Sequence, residues 1–178
     1  MTAEPIPPDT KDWTWVLRRP CPECGFEPTA VHHTDVAAHI RADAEDWRRR
    51  LAGPEAGIRP RPTMWSPLEY GCHVRDVHRN FNHRARLMLA EHEPSFDNWD
   101  QDATAQTEGY ASQDPAVVAD ELFDAASTVA QTYDSVPADA WFRRGLRGNG
   151  SEFTIATLAI YHLHEIVHHR WDVTRRRS

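Results

Sequence analysis

Lysine is almost missing from this sequence. Lys11 is the only one, so nearly every cation among its 20 basic residues is arginine. No apolar run approaches the roughly 20 residues that a membrane-spanning helix needs, and the N-terminus shows no signal-peptide pattern. The expectation is therefore a cytoplasmic protein with no membrane partner. A basic excess is missing too. The net charge is −7, which argues against a nucleic-acid binder held by phosphate contacts. Arg175, Arg176 and Arg177 form a short basic tail, read as solvated. Cysteine is scarce: Cys21, Cys24 and Cys72 are the only three, too few for a disulfide framework in a cytosolic chain. No convincing strand pattern separates the helical stretches. The 178 residues suffice for one domain with a full core and fall short of two.

What the sequence does contain is organised around Tyr161–Asp172, where His162, His164, His168 and His169 fall within twelve residues. His164 and His168 are four apart, so on a helix they lie one turn apart on one face and can share a metal ion. His164-Glu165-x-x-His168 also matches the zincin pattern, in which the glutamate is a general base. Zincins take their third ligand from further along the chain. Here only ten residues follow His168, none after His169 is His or Glu, and no sheet is expected beside which a peptide could lie. A metallopeptidase is disfavoured on those grounds.

Upstream, residues 1–11 are Pro-rich and polar and are read as a mobile arm. Trp13–Leu17 reads as a strand or extended segment. Cys21-Pro22-Glu23-Cys24-Gly25 has the shape of a zinc knuckle, a turn that aims two thiolates at one ion with a glycine to permit the tight backbone. Three readings stay open for it: a reduced turn with two ordinary thiols, a second metal site with His32 and His33 as the nearest further ligands, or a redox pair.

Four helices are expected. The first runs over Asp35–Leu51, with Thr34 or Asp35 as cap and His39 on its buried stripe. The second starts at Ser66, where Pro67 and Glu69 complete a capping box, and reaches about Ala90. It carries His73, His78 and His83, whose spacings rotate them about 140° and −80° apart, so at most one faces a given ion. His78 and His83 are read as surface residues. Asp76 lies near the His73 face and could orient an imidazole. The third helix runs from Asp114-Pro115 to about Tyr133, and the fourth is Thr154–Thr174. The polar stretch Glu93–Gln113 is long enough to be functional and could lie over a pocket mouth with Trp99 as an apolar wall. Arg143, Arg144 and Arg147 are read as a solvated loop.

Four amphipathic helices suggest a bundle, and bundles build metal sites from facing helices. His73 from the second helix and His164 and His168 from the fourth would leave coordination positions open, as a catalytic zinc site requires. His162 and His169, about 140–160° from His164 on the wheel, are excluded from that site, and Glu165, about 100° away, is expected to face elsewhere. Asp172, four beyond His168, is the candidate outer-shell partner.

With these residues in hand, the chain resembles the DinB/YfiT-like superfamily of metal-dependent bundle proteins, which includes bacillithiol S-transferases and the N-terminal domain of mycothiol-dependent maleylpyruvate isomerase. The resemblance rests on Trp65-Ser66-Pro67 followed by His73, and on Thr154 leading into His164-x-x-x-His168-His169-x-x-Asp172. It implies an all-α fold, a four-helix bundle of up-down-down-up connectivity over residues 34–178, with residues 1–33 as an N-terminal extension. It implies a three-histidine site, His73, His164 and His168, for a divalent ion, Zn2+ or Ni2+. The implied activity is a transferase using a metal-activated low-molecular-weight thiol such as mycothiol, with that thiol and an electrophile as partners; a homodimer is one assembly the sequence leaves open. A metal-dependent hydrolase and a non-catalytic metal-binding or stress-response protein are the alternatives. The Cys21-x-x-Cys24 extension departs from a plain member.

Overall fold

The structure is a computed structural model that describes Ile6 and residues 11–175. Most of the arm expected over residues 1–11, and Arg176 and Arg177 of the basic tail, lie outside the described residues. Among the described residues there are five α-helices: α1 (Val36–Leu51), α2 (Pro67–Ala90), α3 (Gln101–Thr107), α4 (Pro115–Asp134) and α5 (Ile155–Thr174). The bundle is made of α1, α2, α4 and α5. Its core is filled by the stripes read in the sequence, with Ile40, Trp47, Phe81, Leu122, Val129, Leu158 and Ile166 all buried.

The caps fix where these helices begin. Ser66 Oγ accepts from the Glu69 amide at 3.2 Å, and Glu69 Oε2 accepts from the Ser66 amide at 2.8 Å, the reciprocal capping box expected for α2. Asp114 caps α4 by accepting from the Ala116 amide at 2.8 Å, with Pro115 in the first turn. Thr154 and Thr157 form the corresponding box on α5. Only α1 departs: neither Thr34 nor Asp35 supplies a side-chain cap, because a 3-10 turn over His33–Asp35 leads directly into the helix.

Packing adds two things that periodicity did not contain. Trp13–Leu17 folds as part of a 3-10 turn (Thr14–Leu17), not a strand, and lies against α5. Three short strands form a small sheet: β1 (Ser95–Phe96) pairs in parallel with β2 (Arg144–Arg147), which pairs antiparallel with β3 (Glu152–Thr154). Gly145 lets this sheet close on the end of α2, since a Cβ there would come within 2.8 Å of Met88 and Phe96 side-chain atoms. Because β3 ends on the Thr154 cap, the sheet sets the start of α5 and thereby the heights of its histidines.

Two histidine assignments, His39 and His78, are corrected. His39 is exposed, on the far side of the α1 stripe. His78 is fully buried, and its Nδ1 lies 3.0 Å from His162 Nε2, while His162 Nδ1 lies 3.1 Å from the Tyr133 hydroxyl. His162 is accordingly a core residue in a polar chain that joins α2, α4 and α5. Among the described residues no helix is long and apolar enough to cross a membrane.

Candidate metal centres on helix α5

The structure does not bring His73, His164 and His168 together as one group. Two separate clusters of donor atoms form instead, each with its atoms within 4.8 Å of one another: His73, Glu165 and His169 in one, and Cys21, Cys24, His164 and His168 in the other. The reason lies in helical geometry. Residues 164 and 168 share one stripe of α5, and 165 and 169 share the next, about 100° around. α2 faces the second stripe and the N-terminal extension faces the first, so His73 meets His169 rather than His164.

In the three-residue cluster, His73 Nε2 and His169 Nε2 stand 3.0 Å apart, and Glu165 Oε2 lies 3.8 Å from His169 Nε2. Two imidazole nitrogens bound tetrahedrally at about 2.0–2.1 Å would be about 3.3 Å apart, so the separation fits a shared ion. His73 is fully buried between two indoles. Trp99 stacks on it at 5.4 Å with the rings 4° from parallel, and Trp65 lies 5.4 Å away on a tilt. The expected role of Trp99 as an apolar wall is therefore met, and α3 holds it through Trp99 Nε1 donating to Thr104 Oγ1 at 2.8 Å. His169 Nδ1 faces Asp172 Oδ2 at 3.4 Å, the outer-shell arrangement that fixes an imidazole for coordination through its other nitrogen.

Electrostatics point the same way. Burial, reinforced by His169, holds His73 well below the ordinary histidine range, so it is a neutral donor. Burial also works against charge on His169, but Asp172 and Glu165 outweigh it and raise its pKa. Glu165 is shifted down despite its burial, because His169 bonds to it and His164 and His73 add to the effect. Two carboxylates turned toward one imidazole form a cluster built around a positive charge. A proton on His169 supplies it in one form, and a divalent ion with these two imidazoles and one carboxylate supplies it in another. Glu165 and His169 line a cavity of about 670 Å3, walled by Trp65, Trp99 and Tyr70 and by Trp13 of the extension.

His32 and His33 do not approach Cys21 or Cys24: His32 Nδ1 lies 2.8 Å from Thr34 Oγ1, and His33 packs on Trp141. Asp76 turns away from His73 into a network with Arg75 and Tyr110, whose hydroxyl donates to it at 2.6 Å. Asp172 does sit behind the donors, against both His169 and His168. Of the three arginines read as a loop, Arg147 lines the cavity, while Arg143 donates to the Leu89 carbonyl and Arg144 pairs with Glu152. Glu165 and His169 were missed by the sequence reading. Their signal was available, because they too are four residues apart; nothing local said which pair faced α2.

The family model of the DinB superfamily matches residues 38–173. Among solved structures, the chain is similar to YfiT from Bacillus subtilis, described as a probable metal-dependent hydrolase with an unusual four-helix bundle topology. The TM-score is 0.66 at 17% identity, over 82% of this chain and 85% of that one. That likeness concerns the fold. No curated protein matches the chain in sequence. With the bundle, its long α2 to α4 connection and a family match that spans all four bundle helices, this chain belongs to the DinB superfamily.

Proposed function

We propose that the protein is a metal-dependent hydrolase whose ion is held by His73, Glu165 and His169. The observation that carries this reading is the donor count: three clustered donors, two imidazoles and one carboxylate, of which Glu165 and His169 line a cavity. Three-ligand sites keep a position for water or substrate, and the two-histidine, one-glutamate set is among the known catalytic zinc sets. A divalent ion there supplies Lewis acidity and lowers the pKa of water toward neutrality.

The chain's own residues do the rest. Asp172 fixes the His169 ring, so its Nε2 stays aimed at the centre. Trp65 and Trp99 hold His73 and keep bulk water from its side of the site. Arg147, Asn98 and Asn149 line the wall and offer polar contacts to an ester, amide or lactone substrate.

A second reading is a thiol S-transferase, and the cavity favours it. At about 670 Å3, with cations and amides in its lining, it would accept a polar thiol cofactor and an electrophile together. Both readings use the same ion. Metal-loaded protein is assayed against panels of esters, amides and lactones without thiol, and against electrophiles with small thiols. Thiol-independent turnover that falls about a hundredfold or more in His73→Ala and Glu165→Gln is the expected result. Turnover strictly dependent on thiol would replace the first reading with the second. Activity unchanged in both variants would overturn both.

A further inference from the structure

The second cluster has a different character. We infer that Cys21, Cys24, His164 and His168 form a closed tetrahedral zinc site that fastens the N-terminal extension to α5 and so completes one wall of the cavity. This site is independent of what occupies the His73 cluster.

Four observations carry it. First, the donor set is complete: two thiols and two imidazoles, their ligand atoms all within 4.8 Å of one another. Such four-ligand sets of sulfur and nitrogen mark structural zinc, in contrast to the three-ligand set one stripe away. Second, the one separation that defines the pair fits. Cys21 Sγ and His168 Nδ1 are 3.8 Å apart, against about 3.5 Å for a tetrahedral ion at about 2.3 Å from sulfur and about 2.0 Å from nitrogen.

Third, His164 is 1% exposed, and neither of its ring nitrogens has a hydrogen-bond partner. A buried imidazole with both nitrogens unpaired is costly unless one of them binds a ligand. His164 Nδ1 faces Glu165 Oε1 at 3.9 Å, which leaves Nε2 for the ion.

Fourth, the loop is shaped as a knuckle. The Gly25 amide donates to the Cys21 carbonyl at 2.9 Å, the Cys21 amide donates to the Phe26 carbonyl at 2.9 Å, and Gly25 takes the positive φ of 74° that a side chain would strain. Trp13 and Phe26 then close over the donors. Trp13 packs at 4.8 Å on His168 and 5.6 Å on His164, and Phe26 packs at 5.5 Å on His164. The third cysteine, Cys72, is buried elsewhere on α2, where its thiol faces Gln113.

The site also explains how the extension joins the functional centre. Trp13 lies on the zinc ligands and, with Lys11 and Asp12, lines the cavity into which Glu165 and His169 face. Fastening Cys21 and Cys24 to α5 holds that wall in place. Zinc binding displaces the two thiol protons to solvent and oxidises nothing.

The test uses full-length metal-replete protein. Metal analysis is expected to give two equivalents in the wild type and one in either Cys21→Ser/Cys24→Ser or His73→Ala. After exchange for cobalt, a thiolate-to-cobalt charge-transfer band in the near ultraviolet is expected in the wild type and in His73→Ala, and is lost in the double serine variant. Should that variant fail to fold, zinc-edge X-ray absorption on His73→Ala decides, with a shell of two sulfur and two nitrogen neighbours expected. A shell without sulfur, no cobalt–thiolate band in the wild type, or a band that survives the double substitution would overturn the site. None of these readouts depends on activity, so they stand or fall apart from the hydrolase reading.

Discussion

At the scale of single residues, the molecule turns on two carboxylates that stand between the donor clusters. Glu165 sends Oε2 toward His169 and Oε1 toward His164. Asp172 lies 3.4 Å from His169 Nδ1 and 3.9 Å from His168 Nε2. Glu165 is one of the three donors of the proposed site, whereas Asp172 acts through the imidazoles behind which it sits. Asp172→Asn is expected to weaken the His73-centred ion by roughly 10–100-fold, the usual cost of losing an outer-shell carboxylate. Chelator competition measures it, and an unchanged affinity would show that the Asp172 contact does not tune the site. The sequence made His73 legible as the α2 histidine of a donor cluster and Asp172 as the carboxylate behind it. It could not show that Glu165, in the position of a zincin base, joins His73 and His169. That depends on which stripe of α5 faces α2, a fact of tertiary packing. His78 was misjudged for a related reason: a polar residue off the metal face reads as exposed, whereas here it is buried in the core with its Nδ1 paired to His162.

At the scale of elements, α5 is a helix with two ligand faces, and its orientation about its own axis is what must be held. The cap at Thr154 fixes its start, and the ion pair between Arg170 Nη1 and Asp43 Oδ1, at 2.9 Å, ties it to α1. Asp43 is 2% exposed, and burial pushes its carboxyl up to about 7 despite Arg170. A carboxyl whose folded pKa lies above its unfolded value near 4 contributes most to stability below pH 4, and that contribution is lost as pH rises to about 7. The stability of the wild type relative to Asp43→Asn is therefore expected to fall by about 2–4 kcal/mol between pH 4 and pH 8. Urea denaturation of both proteins across that range measures it, and because both carry the same metal donors their contribution cancels. A flat difference would show that Asp43 stays ionised against Arg170. The four bundle helices, and the caps of α2 and α4, were legible because caps and stripes are local signals. The sheet was not, because strands of two to four residues carry too little alternation to register.

At the scale of the whole molecule, the N-terminal extension is part of the functional unit. Sequence reading saw the knuckle at Cys21 and Cys24 but sought its remaining ligands nearby, in His32 and His33. The chain folds back so that His164 and His168 stand beside the two thiols, His168 lying 147 positions from Cys21 in sequence, and no local pattern encodes such a return. If the extension is fastened by an ion, removing that ion frees it. Chelated protein is expected to be cut by trypsin at the exposed Arg18 at least about tenfold faster than metal-replete protein, with the bundle left intact. Equal cleavage rates would mean that packing alone holds the extension.

The central claim is that α5 presents two donor pairs to two different ions, one pair shared with α2 and one with the extension. Anomalous scattering from crystals of the metal-loaded protein tests it most directly. Two peaks are expected: one among Cys21, Cys24, His164 and His168, the other among His73, Glu165 and His169. A single peak shared by His73, His164 and His168 would contradict it.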